Sequence, residues 1–485
     1  MARYLLVGAL GGPNFGDELI LLTWINIIRQ RDSSAEIYCD GYNLFNLKEL
    51  VGDLADVVSQ DESLWNVCKI LDVNNSGNYW NYINKKTKEN TNFNIIIDCL
   101  AGLRERKIDQ IHFVGGGYLN ALWQSNYMLV AMSCLLSRLT GARLIATGLG
   151  LTPTNVHDLP GLQQLLKSFD LVDVRDESSY NLLNDMDIDS LTYTGDDVLL
   201  VLSDDYNIRP LQYIAKKSLV LCLQNDLFDG DGIAKRIFTP RVIKLLHEYA
   251  VTNIVFVMAM NADVSERTAN LKSELINENF HVSTIDPFEL LKNGFPISED
   301  GLIITSRYHP HFLSALTGMA GVAITSMPYY DIKHEAVRTM GSNWKIIKSD
   351  FDCELLEGIL HEELSNENLS YRENDRDYFI NLKNKLIDGV MNLPALRTEF
   401  PIDIVGILKS CIVEIKLKEA SIGVVEKNLI DKDFSLNTIE SELFECVKKI
   451  NLLEGEFQDY KNYIESSYSW KLTKPFRRIY SFFLS

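Results

Sequence analysis

Short apolar runs alternate with helix-length amphipathic stretches through roughly the first two-thirds of the chain. Runs at residues 3–10, 36–40, 110–114, 143–147, 171–174 and 198–202 predict β-strands, and 17–29 predicts the first helix. Strands separated by helices imply a parallel sheet with right-handed crossovers. A polar stretch at 203–217, containing Pro210, reads as a linker. The alternation then restarts, with runs at 219–223, 253–258, 282–285, 302–305 and 322–324. The simplest reading is α/β: two Rossmann-like domains with parallel sheets, 1–205 and 206–350, around a cleft. Open parallel sheets take ligands beyond the carboxyl ends of their strands, so the chemistry is expected there.

After residue 350 the strand pattern stops, and 351–410 reads as a helical connector interrupted by Pro394 and Pro401. From Ile415 to Ile464 a 3-4 spacing runs through seven heptads, with every a position apolar and Lys418 and Lys432 as polar d positions. A 3.5-residue repeat of this length predicts a coiled coil over 411–465, about 75 Å long and joining identical chains. The tail, 466–485, interleaves Tyr468, Trp470, Phe476 and Tyr480 with Lys471, Lys474, Arg477 and Arg478. Basic residues among large aromatics suit an anionic lipid surface or a docking partner.

Composition narrows this picture. The chain has 485 residues, with 66 Asp+Glu against 47 Lys+Arg and a net charge of −19. That balance argues against a nucleic-acid partner, which would need a broad basic surface. It leaves room for an anionic small substrate, because a few arginines can dominate one cleft. Eight scattered cysteines with no CxxC pair suit a reduced, cytoplasmic protein and no metal site. The apolar start, 4–10, leads into a Gly-rich turn and reads as a strand, not a signal peptide. No apolar run is long enough to predict a transmembrane helix.

Candidate chemistry lies at the predicted strand ends. Gly11-Gly12-Pro13-Asn14-Phe15-Gly16-Asp17-Glu18 joins the first strand to the first helix. It matches neither a dinucleotide fingerprint nor a P-loop, but it places the Asp17 carboxylate toward the cleft. Gly115, Gly116 and Gly117 follow the strand at 110–114 and allow close approach by backbone or ligand. Arg175 ends the strand at 171–174, where a guanidinium can grip a carboxylate or phosphate or else pair with Asp173, Asp176 or Glu177. Ser306-Arg307-Tyr308-His309-Pro310-His311 supplies a fixed cation and a histidine, a residue type that changes charge near neutral pH. Tyr330 and Lys333 lie downstream beside the same cleft.

The ordered set of Asn14-Phe15-Gly16-Asp17-Glu18, Gly115-Gly116-Gly117, Val174-Arg175-Asp176-Glu177, Ser306-Arg307-Tyr308-His309 and Tyr330 with Lys333 resembles the polysaccharide pyruvyl transferase family over about residues 1–345. The resemblance implies a GT-B-like pair of Rossmann domains. It implies a ketal pyruvyl transferase that moves the pyruvyl group of phosphoenolpyruvate onto a sugar and releases phosphate. It further implies Asp17, Arg175, Arg307 and His309 as catalytic positions. Asn14, Gly16, the three glycines, Tyr330 and Lys333 would bind substrate, with phosphoenolpyruvate as donor and no metal or cofactor. The segment Ser469–Arg477 resembles a tail motif of bacterial glycan-assembly enzymes and implies work at the inner face of the plasma membrane. Two other readings use the same features: a GT-B glycosyltransferase taking a nucleotide sugar, and a non-catalytic coiled-coil scaffold.

Overall fold

The computed structural model describes residues 2–392 apart from 13, 72–78, 87–89, 204–210, 264–265 and 366–369. The predicted coiled coil and basic aromatic tail lie outside the described residues. Among the described residues no helix is long and apolar enough to cross a membrane.

The first lobe is a seven-stranded sheet of β1 (Arg3–Val7), β2 (Glu36–Asp40), β3 (Asp56–Val57), β4 (Gln110–Gly116), β5 (Arg143–Leu149), β6 (Leu171–Val174) and β7 (Leu191–Tyr193). Its order is β3-β2-β1-β4-β5-β6-β7, and every pairing is parallel. Every residue of β4 and β5 is buried, as strands covered on both faces require. In the second lobe, β8 (Leu211–Ile214) and β12 (Phe295–Ser298) form a small parallel pair. The main sheet there takes β9 (Ser218–Cys222), β10 (Asn253–Val257), β11 (His281–Ile285), β13 (Leu302–Thr305), β14 (Ala320–Thr325) and β15 (Lys345–Lys348). Its order, β11-β10-β9-β13-β14-β15, repeats the doubly wound pattern of the first sheet. Two Rossmann-like sheets facing one another make the GT-B arrangement.

The lobes share an apolar layer. Phe15 and Trp24 from the Phe15–Arg31 helix pack into one core with Phe295 and Phe312 of the second lobe. The Phe15 and Phe295 ring centroids lie 5.9 Å apart. At about 1.5–3 kcal/mol for each large side chain withdrawn from water, this layer holds the lobes together beneath the cleft. The outer faces of the two sheets carry separate cores.

Two local expectations change, and a helix boundary is added. Residues 198–202, read as a strand, belong to a 3-10 turn, Asp197–Leu202, capped by the Asp196 side chain. A short apolar run does not reveal its own period, and here the last strand of the first sheet is the shorter β7 just upstream. Within the stretch read as a linker, 211–214 forms β8 and pairs with β12. The helix after β13 starts at Tyr308, so it includes His309 and His311 in its first turns.

Beyond β15 two helices follow, Cys353–Ser365 and Glu373–Asn392. The second returns to the first lobe. Lys383 is fully buried, and its Nζ donates to Asp173 Oδ2 and Asp197 Oδ1, each at 2.8 Å. Asp197 Oδ2 also accepts from Trp24 Nε1 at 2.7 Å and from Thr147 Oγ1 at 2.6 Å. Burial works against the Lys383 charge, but the two carboxylates outweigh it and raise its pKa.

Candidate active site

In each sheet the strand order reverses between two central strands, β1 and β4 in the first and β9 and β13 in the second. Crevices open at such reversals, and here the two reversals share one cleft. A backbone bridge joins Asn14 to Met260, and Phe15 N donates to Ala259 O at 2.9 Å, so the first helix of one lobe starts against the other. Beside this seam lies a cavity of about 490 Å³.

Asn14, Gly16, Asp17, Gly117, Arg175, Arg307, His309, Tyr330 and Lys333 all line it. Asp17 stands in the first turn of the Phe15–Arg31 helix and accepts from Asn14 Nδ2 at 2.7 Å. Gly16 is glycine for a steric reason. A Cβ there would lie 1.6 Å from His309 Nδ1. His309 comes from the first turn of the Tyr308–Leu316 helix, so a side chain at Gly16 would drive the two lobes apart.

Arg175 is 2% exposed. Its Nη1 donates to Asp196 Oδ2 at 3.3 Å, and its guanidinium lies 4.8 Å from the Tyr308 ring centre. A Cβ on Gly117 or Gly150 would come within 2.5 Å of this guanidinium. The glycine at 117 therefore makes room for Arg175. Gly115 and Gly116 lie behind the wall with φ of 41° and 93°, and a Cβ on them would meet Ile20 and Tyr118. The close approach inferred from the glycine run is thus by the protein's own side chains.

Arg307 is not a free cation. Its Nε and Nη2 engage Asp263, and Nη2 also lies 3.0 Å from Asp226 Oδ1. Asp263 accepts in addition from the backbone N–H groups of Ala259 and Met260, both at 3.0 Å. Lys333 has a different setting. Its Nζ sits 4.1 Å from the ring centre of Tyr329, 4.8 Å from Tyr330 and 5.9 Å from Tyr308, a cation–π cage. Burial, then Arg175, pushes the Lys333 ammonium well below its usual range, with Asp17 opposing. Burial likewise raises the Asp17 carboxyl, against the pull of His309, Lys333 and Arg175.

Several residues here lie outside the predicted set of site residues. Asp196 is fully buried, and its Oδ1 lies 3.8 Å from His309 Nε2. Burial opposes its charge, yet His309 and Arg175 hold it well below the usual carboxylate range. Glu18 accepts from Gly11 N at 2.9 Å, and burial with Asp17 nearby pushes it up to about 8. Tyr329 donates to Gly117 O at 3.1 Å. The strand-end segment Thr194-Gly195-Asp196-Asp197 is the signal that points to Asp196, once β7 is recognised as a strand.

The family model of polysaccharide pyruvyl transferases matches residues 14–326. No curated protein matches the chain by sequence. Similar solved structures include the UDP co-structure of MnaA from S. aureus, at 11% identity and TM-score 0.48, covering 82% of this chain and 100% of that one. The UDP-GlcNAc 2-epimerase of Methanocaldococcus jannaschii is similar at 13% identity and TM-score 0.46, covering 80% and 99%. The glycotransferase of kitacinnamycin is similar at 11% identity and TM-score 0.47, covering 81% and 99%.

Proposed function

Since the chain belongs to the polysaccharide pyruvyl transferase family, we propose that it moves the pyruvyl group of phosphoenolpyruvate onto a sugar of a bacterial surface polysaccharide or its lipid-linked precursor. The observation that carries this reading is the meeting of Asp17 and Arg175 from one lobe with His309 and Lys333 from the other in a single cleft. Phosphoenolpyruvate presents a carboxylate and a phosphate. Arg175 and Lys333 are the basic groups assigned to it: Arg307 is held by Asp226 and Asp263, Arg175 keeps a hydrogen-bonded carboxylate partner in Asp196, and Lys333, caged by tyrosine rings, gains charge as the anionic donor enters. The first turns of the Phe15–Arg31 and Tyr308–Leu316 helices add N-terminal dipoles at the same place. Arg307 acts in this scheme as a fixed pillar under His309.

The donor's methylene carbon gains a proton from His309, which leaves C2 electrophilic. A sugar hydroxyl, oriented and relieved of its proton by Asp17, bonds to C2. The bond from C2 to the phosphate oxygen breaks, and phosphate departs with the second hydroxyl proton as the neighbouring sugar oxygen closes the ketal. The methyl group thus carries the proton given by His309, the first hydroxyl's proton passes from Asp17 back to His309 to restore the site, and the second hydroxyl's proton leaves on phosphate. Arg175 and the helix termini stabilise the departing charge.

The test incubates full-length protein with phosphoenolpyruvate and sugar acceptors and follows phosphate release and the acidic product. His309→Gln is expected to abolish both, and retention of full transfer by that variant would refute the assignment of the acid. Retention of ordinary activity with a nucleotide sugar, and none with phosphoenolpyruvate, would favour the glycosyltransferase reading. The heptads at 415–464 and the basic tail would place the enzyme as an oligomer on the cytoplasmic face of the membrane.

A further inference from the structure

The cleft extends well past its ionic end. On the first-lobe side its wall is aromatic, built from Tyr42, Trp65 and Trp123. These residues come from separate segments, after β2, in the Leu64–Ile70 helix and in the Ala121–Asn126 turn after β4. Tyr42 is 53% exposed and Trp123 40% exposed, where large rings are usually covered. Both are held in place. Tyr42 meets Trp65 edge-on at 5.9 Å with Lys69 Nζ 4.0 Å above its ring, and Trp123 meets Tyr329 edge-on at 6.0 Å. Trp65 is 4% exposed, and its indole N–H has no protein partner.

From this arrangement we infer that Tyr42 and Trp123 form a stacking platform for the acceptor sugar, with the Trp65 N–H as a donor to one of its hydroxyls. The inference rests on the pyruvyl transfer proposed above and assigns the acceptor's place within it. A pyranose ring has C–H faces with a slight positive charge and a rim of hydroxyls. An aromatic face carries the complementary negative quadrupole. The neighbouring lining supplies short polar side chains, Asn14 and Asn126, that suit the rim. A volume of about 490 Å³ lies in the range of sites that enclose a small-molecule ligand, about 300–1,000 Å³, and exceeds what a three-carbon donor fills. Continuity with Asp17 and His309 favours a sugar over a protein or lipid partner, because whatever lies on the platform touches the reacting centre. Trp123 reaches the donor end through Tyr329, which also faces Lys333.

The experiment uses the full chain, with methyl glycosides of hexoses and N-acetylhexosamines as probes. Trp123→Ala and Tyr42→Ala are expected to raise KM for the glycoside about tenfold while KM for phosphoenolpyruvate stays within about twofold. Trp65→Phe keeps the ring and removes the donor, and is expected to give a smaller rise in the same constant. Equal rises in both KM values, or no rise in either, would overturn the platform while phosphate release by the native protein upholds the transfer reaction. Should the native protein release no phosphate with any glycoside, the transfer reading fails, and saturation-transfer NMR then decides the platform separately. Glycoside signals seen with the native protein and lost in Trp123→Ala sustain it, and their absence from the native protein overturns it. Loss of binding to phosphatidylglycerol vesicles in Tyr42→Ala, with glycoside KM unchanged, would assign the rings to a membrane surface and also overturn it.

Discussion

Asp196 stands between Arg175 of its own lobe and His309 of the other, at 3.3 Å and 3.8 Å. It holds Arg175 by a hydrogen bond and sets a negative charge facing His309, so Asp196→Asn is expected to lower kcat about a hundredfold or more, with a smaller change in KM for the donor. Steady-state kinetics checks this, and unimpaired turnover would remove Asp196 from the account. Glu18 offers a test in stability. Burial, then Asp17, raises its carboxyl from 4.5 to about 8. A raised folded-state value gives stability that is complete below the unfolded pKa and lost as pH rises through the folded one. Native protein should therefore lose stability between about pH 5 and 8, and Glu18→Gln should flatten that slope in thermal melts. The Asp17 and Lys333 pair predicts a third result. An anionic donor favours the charged amine that burial and Arg175 disfavour. Across a pH series, phosphoenolpyruvate binding is expected to take up protons, read as a calorimetric heat that varies with the ionisation enthalpy of the buffer. At this scale Arg175 and His309 were legible because they follow recognisable strands. Asp196, Asp226 and Asp263 were not, because their importance lies in which cation each one meets across the fold.

At the scale of elements, periodicity located the strands that carry the site, β1, β4, β6, β9 and β13, because buried parallel strands are written as apolar runs. The two-residue β3 and three-residue β7 are too short to leave such a run. The start of the Tyr308–Leu316 helix was also hidden, since Pro310 suggests a break but is tolerated in a first turn. That detail matters, because it fixes His309 against Gly16. Gly16→Ala, with its Cβ 1.6 Å from the imidazole, is expected to abolish turnover while circular dichroism still shows a folded α/β protein. The Glu373–Asn392 helix carries the other sharp expectation. Lys383→Ala leaves Asp173 and Asp197 buried without their cation, which should cost about 3–5 kcal/mol in urea denaturation.

The whole molecule separates a catalytic body from a segment whose pattern speaks of assembly. Deleting residues 411–485 is expected to spare turnover with a soluble glycoside and to lower the sedimenting mass to that of a single chain. Unchanged sedimentation would refute the coiled coil. The overall charge of −19 also takes on a local meaning, since carboxylates reach into the cleft itself and neutralise Arg307 there.

One consequence concerns synthesis of the chain. Because Lys383 and the helix around it complete the first lobe, that lobe is discontinuous, and the second lobe is in effect inserted into it. A ribosome releases β9 through β15 before it releases Lys383. The second lobe can therefore reach its final form while the first still holds two carboxylates lacking their counter-charge. The nascent first lobe is accordingly the one in need of protection, and the last one to close is the one whose residues were made first.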